Sequence, residues 1–143
     1  MGSFLAISSQ LSHDGDGLVR YRLVVESSGF QGHTEAWGHE SDVRELAVAL
    51  RGFPVAAGAK VMYSFGSPGT GTASLRFEVV DPLGHCHAWI SIVATHPVAR
   101  TGEHESAHVC IGFNPADMDR FCRQLEDFTP GRFNEAELSG HVA

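Results

Sequence analysis

The segment from residue 73 to residue 96 constrains the fold more than any other part of this sequence. Residues 73–80 alternate apolar and polar side chains, which is the pattern of a strand with one buried and one solvated face. Residues 81–84, Asp-Pro-Leu-Gly, have the composition of a tight turn with proline at its second position. A long and mainly apolar segment, 84–96, follows. Together these segments predict an antiparallel hairpin with one face in the core.

Five further segments have the composition or the alternation that is typical of strands. They are residues 3–11, 18–27, 30–38, 59–65 and 103–113. Short turns join several of them, including His-Asp-Gly-Asp-Gly at 13–17 and the pair Ser28-Gly29. Strands that follow one another across short turns usually pair in opposite directions, so we expect an antiparallel sheet.

Two helices are predicted, each from an N-cap signal and an apolar stripe at helical spacing. The first has Ser41 as its N-cap, and Gly52 ends it. The second has Asn114 as its N-cap, Pro115 at the first helical position and Asp117 at the third. The apolar stripes consist of Val43, Leu46, Ala47 and Leu50 in the first helix and of Met118, Phe121, Cys122 and Leu125 in the second.

These elements predict a single α+β domain over residues 1–143 with the order βββ-α-ββββ-α. An antiparallel sheet of about six to seven strands would carry both helices on one face and leave the other face partly exposed. Residues 129–143 are expected to form a loosely docked tail, in which either Phe133 and Leu138 dock or the segment frays. No internal repeat is visible, and a length of 143 residues fits one domain.

The charge balance and the cysteines narrow the classes of function. The formal net charge is −7 and no Lys/Arg cluster is present, so we expect no nucleic-acid binding. No apolar run approaches the ~20 residues of a membrane span, and the N-terminus lacks a secretory pattern. Three cysteines without framework spacing predict free thiols and a cytoplasmic protein.

Candidate functional residues gather on the last three predicted strands. The tight turn places Glu78 opposite His87. We expect the next hairpin to pair Trp89 with His108, so that His87 faces Cys110. A carboxylate, an imidazole and a thiol would then lie in one row, and these are ligand types for zinc or a thiol beside a base. The predicted binding surface consists of Arg76, Glu78, His87, Trp89, His108 and Cys110.

Plainer alternatives remain open for each of these features. A slip of one residue in the second hairpin would separate the row, and a polar sheet face can carry histidines by composition, since the chain has nine. No catalytic residue or metal ligand is assigned, because a metal site normally needs three or four convergent ligands and the sequence gives their spacing alone. No cofactor is assigned, and the glycine-rich loop 66–72 lacks the ending of a phosphate loop. Trp89 suits a binding surface, unless the tail covers it. Trp37 is expected to be a packing residue.

Four features together resemble small bacterial α+β domains of unknown function. They are Trp37 before the first helix, the helix Asp-Val-Arg-Glu-Leu-Ala-Val-Ala-Leu that ends near Phe53, the Asp-Pro-Leu-Gly-His turn at 81–85 and the final helix at 118–125. Some similar domains look like immunity proteins that neutralise a cognate toxin. The resemblance spans most of the chain and is architectural, so it implies a fold and a protein partner but no site residue.

Two hypotheses of function follow. The first is a cytoplasmic binding protein without catalytic activity, in one version an immunity protein, that engages a protein partner through the exposed sheet face. The net charge of −7 favours a basic partner in this hypothesis. The second is a small metal-binding protein or enzyme that uses Glu78, His87, His108 and Cys110. A homodimer formed through the sheet is a third arrangement.

Overall fold

A computed structural model describes residues 2–11, 17–67, 69–129 and 135–143. These residues form two helices and an antiparallel sheet of eight strands, which confirms the α+β class. The strands are β1 (Ser3–Leu11), β2 (Leu18–Ser27), β3 (Phe30–His39), β4 (Lys60–Phe65), β5 (Thr72–Val79), β6 (Cys86–Val93), β7 (Ser106–Phe113) and β8 (Glu135–Val142). The helices are α1 (Ser41–Leu50) and α2 (Pro115–Asp127). None of the described helices is long and apolar enough to cross a membrane.

The C-terminal strand β8 is the main departure from the predicted fold. The prediction of a loosely docked tail is wrong for this segment, because β8 lies between β1 and β7 and pairs with β1 from Ser3 to Ser8. Its side chains Ala136 and Leu138 are buried in the core, which confirms Leu138 as a docking side chain, while Phe133 lies outside the described residues. Ala136 and Leu138 alternate with polar neighbours, but Gly140 interrupts the pattern before Val142, and this alternation is too short to predict a strand. The described sheet therefore has eight strands, where the sequence predicts six to seven.

The sheet bends back on itself and encloses one core. Its strand order is β3-β2-β1-β8-β7-β6-β5-β4. Within the described residues β7 and β8 pair at two positions alone, Ile111 with Val142 and Gly112 with His141. Strands from opposite parts of this order, such as β3 and β5, are in contact with each other. Two half-sheets, β3-β2-β1-β8 and β7-β6-β5-β4, therefore face each other and share a single cluster of buried side chains.

The helices lie on the inner side of this bent sheet. Helix α2 packs on β8, helix α1 contacts β4, and the two helices contact each other. Their buried side chains belong to the same cluster as the inward side chains of the strands. The predicted packing of both helices on one face of a single sheet differs from the structure, because the inner side that they share is divided between two half-sheets. The opposite face of the sheet is left without a helix in the described part of the chain.

The two halves of the chain repeat one topology. Three strands, a helix and a strand make up β1-β2-β3-α1-β4, and the same series makes up β5-β6-β7-α2-β8. The last strand of each series pairs antiparallel with the first strand of the other series, β4 with β5 and β8 with β1. The described chain is therefore a twofold repeat in which the final strands are exchanged.

The buried residues follow the same repeat. The stripes of the two helices have identical spacing, and each continues to a buried phenylalanine just beyond the helix. The sequence does not reveal this correspondence, because a core position requires an apolar side chain of suitable volume and not a particular residue. The corresponding pairs are Val43 and Met118, Leu46 and Phe121, Leu50 and Leu125, and Phe53 and Phe128.

The two helices start differently. Helix α2 has the predicted cap, in which the side chain of Asn114 accepts a hydrogen bond from the backbone N–H of Asp117 and the Asp117 side chain accepts one from Asn114. The prediction of Ser41 as the N-cap of α1 is wrong, because the helix already includes this residue. Asp42 instead accepts a hydrogen bond from the backbone N–H of His39, at 2.9 Å.

Two tyrosines stabilise the start of α1. The Tyr63 hydroxyl donates to Oδ1 of Asp42 at 2.8 Å and lies 3.1 Å from Oε2 of Glu45. The Tyr21 hydroxyl donates to the carbonyl oxygen of His39 at 2.5 Å. Burial, and after it the Asp42 carboxylate, raises the pKa of both tyrosines above the ordinary value of 10.0. Both hydroxyls therefore keep their protons in the folded protein at alkaline pH.

Alkaline pH is expected to destabilise the protein through these tyrosines. Tyrosines of the unfolded chain ionise at about pH 10, while the two buried tyrosines of the folded protein stay neutral. The stabilisation that they give the folded state is therefore complete below that pH and is lost as the pH rises. The Cys122 thiol, whose pKa burial raises to about 11, acts in the same direction. The variant Tyr63→Phe should lose about 1 kcal/mol of unfolding free energy at neutral pH. When the pH is raised, the unfolding free energy of this variant should fall by less than that of the wild type.

Urea unfolding of both proteins at a series of pH values measures this effect. The variant Tyr63→Phe keeps the ring and deletes the hydroxyl alone, so it isolates the contribution of that group. Equal alkaline losses of unfolding free energy in the two proteins would show that Tyr63 does not carry a raised pKa.

Candidate functional site

The first of the two hairpins that carry the candidate residues has the predicted register. In the ladder between β5 and β6, Glu78 pairs with His87 and Arg76 pairs with Trp89. The turn before β6 also closes as predicted, since the backbone N–H of Val80 donates to the carbonyl oxygen of His85 at 2.9 Å. The side chains of Arg76, Glu78, His87 and Trp89 consequently lie on the outer face, which carries no helix in the described part of the chain.

The register predicted for the second hairpin is wrong by two residues. Trp89 pairs with Cys110, Ser91 with His108, and His87 with Gly112. The loop sets this register, because the backbone bond from Ala94 to Glu105 extends the hairpin beyond Val93 and Ser106. A shift of two residues keeps every side chain on its predicted face but moves Cys110 away from His87. The described residues contain no group of three or more side chains that could hold a metal ion.

Arg76 and Trp89 form the best-defined contact on this face. The guanidinium carbon of Arg76 lies 5.6 Å from the centre of the Trp89 ring, within the range of a cation–π interaction. Nε of Arg76 lies 3.4 Å from Oε2 of Glu78, shielded from solvent and without hydrogen-bond geometry, so this contact is electrostatic. Trp89 is 40% exposed. The structure therefore holds an exposed indole in a fixed position beside a cation.

The contact belongs to a row across four strands that we call the Trp89 patch, and it consists of Met62, Arg76, Trp89 and Cys110. Met62 is 69% exposed at the β4 end of the row. Burial, and after it Glu78, raises the pKa of the Cys110 thiol, and Arg76 opposes this effect in part. A thiol with a raised pKa is a poor nucleophile, so Cys110 contributes apolar surface to the patch.

The neighbouring row contains a serine–histidine pair that the sequence does not predict. Oγ of Ser91 lies 2.6 Å from Nδ1 of His108. A nucleophile beside a base is one part of a hydrolytic site, which also needs a group that orients the base and a site for the oxyanion. Within the described residues no carboxylate forms a hydrogen bond to His108. The pair therefore has one element of a catalytic arrangement.

On the other side of the Trp89 patch, β8 brings a further histidine to the outer face. His141 pairs with Gly112, which in turn pairs with His87. The His141 ring occupies the space that a Cβ atom on Gly112 would fill. Glu78, His87 and His141 therefore lie in one transverse row, with a glycine between the two imidazoles. The sequence cannot predict this row, since it depends on the position of β8.

The repeat provides an internal comparison for the Trp89 patch. In the other half-sheet, the ladders place Arg22 at the position that corresponds to Trp89, with Ser8 and Glu35 as its two neighbours. Glu35 lies 4.0 Å from Arg22 and 3.6 Å from Arg20, as an ordinary solvated ion-pair group. The same position of the repeat thus carries a charged, solvent-exposed arginine in one half and an exposed tryptophan in the other. The fold alone does not require an aromatic side chain there.

Two tryptophans are exposed on the outer face, and they differ in their surroundings. The prediction of Trp37 as a packing residue is wrong, because this side chain points outward from the edge strand β3 and is 41% exposed. It pairs with Arg20 in the ladder. Trp89 lies on β6, an interior strand of the sheet that has a neighbouring strand on each side. Trp37 is therefore a matched control for experiments on Trp89.

A large surface depression lies away from these residues. It has a volume of about 570 Å³, lies between the two helices, and is bordered by Arg44, Val48 and Glu126 among others. A smaller one of about 210 Å³ reaches His108 and Cys110 from the β2–β3 turn and the end of β8. Cys110 is the member of the Trp89 patch that borders this smaller depression, while Met62 and Trp89 are exposed on the outer face of the sheet. Exposed side chains on a sheet face suit a protein partner more than a small molecule, which binds in a concave pocket.

Comparisons with protein-family models, with curated proteins and with solved structures each find no match for this chain. The interpretation of the site therefore depends on its geometry.

Proposed function

We propose that this protein binds a protein partner through the outer face of β4–β7, with Trp89 as the central contact. The observation that carries the proposal is the contrast between the two halves of the repeat. Arg22, at the corresponding position, is about half exposed to solvent and lies 4.0 Å from the Glu35 carboxylate. Trp89 instead exposes an indole stacked on Arg76.

The chemistry of the Trp89 patch supports this proposal. Tryptophan and arginine are the side chains that most often dominate the binding energy of protein interfaces. Arg76 is held by the Trp89 ring and by Glu78, so it loses little conformational entropy on binding. Met62 adds a flexible apolar side chain that adapts to a partner surface. A partner would therefore meet a largely preorganised anchor.

The immunity-like version of the proposal has a narrower basis. The resemblance in architecture and the net charge of −7 support a cytoplasmic protein that neutralises a partner by covering its surface. The metal-dependent alternative required His87 beside Cys110, and the observed register separates these two residues. A homodimer through the same face remains as an arrangement that the experiments below distinguish.

Affinity capture from an extract of the native host tests the proposal. The wild-type protein and the variants Trp89→Ser and Trp37→Ser are immobilised at equal density. We expect a protein that the wild type and Trp37→Ser retain and that Trp89→Ser loses, with a reduction of tenfold or more in the recovered amount. An interface anchor of ~1.4 kcal/mol or more gives this factor.

Two results would contradict the proposal. One is a partner that all three proteins retain equally, which would place the interface elsewhere. The other is the recovery of no partner by the wild type under gentle conditions. Unfolding curves of the two variants must first match, so that a loss of binding cannot arise from a loss of structure.

A further inference from the structure

The charges around the Trp89 patch differ in sign from the charge of the whole chain. The patch and its neighbouring row carry two permanent cations, Lys60 and Arg76, and one carboxylate, Glu78. Arg76 is the cation in contact with Glu78, while Lys60 forms no ion pair with the described residues. The imidazoles of His87 and His141 in that row add hydrogen-bond donors and no negative charge. This part of the surface is therefore cationic.

Apart from Glu78, most acidic residues of the described chain lie away from the Trp89 patch. Most belong to the helical layer on the inner side of the sheet or to the outer face of the other half-sheet. Those of the helical layer are Glu40, Asp42, Glu45, Asp117, Asp119, Glu126 and Asp127, and those of the other half-sheet are Glu26, Glu35, Glu135 and Glu137. Most of the negative charge of the described residues thus lies on surfaces that do not surround Trp89.

Screening decides which of these charges a bound partner senses. Interactions between exposed charges decay over about 8 Å at physiological ionic strength. The helical layer is separated from the outer face by the thickness of a packed sheet, about 10 Å. A partner segment that lies on Trp89 therefore interacts with Lys60, Arg76 and Glu78 far more than with the helices.

We infer that the partner segment that covers the Trp89 patch is acidic, with carboxylates that face Lys60 and Arg76. This inference rests on the proposed function and reverses the basic partner that the net charge predicts. The outward N–H groups of Arg76 and the ammonium group of Lys60 match carboxylates in charge and in hydrogen bonding. The Trp89 ring between them accommodates an apolar side chain of the same segment.

Fluorescence of Trp89 tests this charge complementarity directly. In the variant Trp37→Phe, Trp89 is the remaining tryptophan, so its emission reports on the patch. The probes are poly-L-glutamate and poly-L-lysine of equal length. We expect poly-L-glutamate to change the emission saturably and poly-L-lysine to leave it unchanged. The additional substitutions Lys60→Gln and Arg76→Gln should each weaken the apparent affinity for poly-L-glutamate by about threefold to tenfold.

A matched control removes a cation from the helical layer. Arg120→Gln changes the net charge by the same amount as Lys60→Gln but lies on α2, so the affinity for poly-L-glutamate should stay the same. Raising the salt concentration should weaken the binding of poly-L-glutamate to the Trp37→Phe protein that keeps Lys60 and Arg76. Unfolding curves establish that each variant is folded, and the Lys60 variant keeps the test decisive if Arg76→Gln disturbs the Trp89 ring.

Several outcomes would overturn the inference. They are a response to poly-L-lysine alone, a response to poly-L-glutamate that neither substitution weakens, no response to either probe, and an emission change with protein concentration alone. The last result would identify a second copy of the chain as the occupant. A captured partner that depends on Trp89 but meets it with a basic surface would leave the proposed function intact and refute the acidic segment. If no captured partner depends on Trp89, the proposed function itself is refuted.

Discussion

The variant Phe121→Ala is expected to lose about 3–5 kcal/mol of unfolding free energy. Phe121 is fully buried, and its ring centre lies 6.5 Å from that of Phe77. Its position on α2 lies between the two half-sheets, so removal of the ring leaves a cavity that the surrounding strands cannot easily fill. A loss of this size is a large fraction of the stability of an ordinary domain. Urea unfolding monitored by circular dichroism measures it.

The repeat supplies two comparisons for this prediction. Leu46 occupies the corresponding position on α1, so Leu46→Ala should cost about 2–5 kcal/mol. Val48 lies on the same helix but is 57% exposed, so Val48→Ala should change the unfolding free energy by less than about 0.5 kcal/mol. A loss of less than about 1 kcal/mol in Phe121→Ala would show that α2 does not lie between the half-sheets.

The variant Gly71→Ala is expected to lose about 1–3 kcal/mol of unfolding free energy, because the added methyl group has no space where β3 contacts the second half-sheet. A Cβ atom on Gly71 would overlap the carbonyl oxygen of Glu35 and would lie 2.8 Å from Oγ1 of Thr34. These atoms connect the two half-sheets: Thr34 donates to the carbonyl oxygen of Val93 at 2.5 Å, and Thr95 donates to that of Glu35 at 3.1 Å. The added methyl group would push this contact apart.

Gly2→Ala is the control for that substitution. A Cβ atom on Gly2 would meet the carbonyl oxygen of Gly140 at 3.9 Å, an ordinary contact, so stability should change by less than about 0.5 kcal/mol. Thermal unfolding of both variants measures the difference. If Gly71→Ala is as stable as Gly2→Ala, the edge of β3 does not pack against the loop that contains Gly71.

Local patterns account for the elements that the sequence predicts well. The alternation around Phe77 and the turn at 81–84 predict both β5 and its register with β6, because a tight turn leaves no freedom in the pairing. The Asn114 cap predicts the start of α2, because every atom that it needs lies within one helical turn.

The candidate site was predicted in part for the same reason. Its face is correct, since a strand alternates with period two and Trp89 points outward wherever β7 pairs. Its neighbours depend on the loop before β7, and the sequence does not reveal how many loop residues extend the hairpin. Cys110 therefore lies beside Trp89 rather than His87. Met62 alternates with inward residues of β4, a signal that would have placed it on the outer face.

The sequence by itself determined the first seven strand segments, the two helices with the Asn114 cap of the second, and the face on which Trp89 lies, since these follow from interactions between residues close in the chain. The tertiary structure alone decided the exchange of final strands, the place of β8 beside β1, and the cationic surroundings of Trp89. These features bring together residues that are distant in the chain. They depend on which buried faces fill one common core, and many sequences with the same local patterns meet that condition differently.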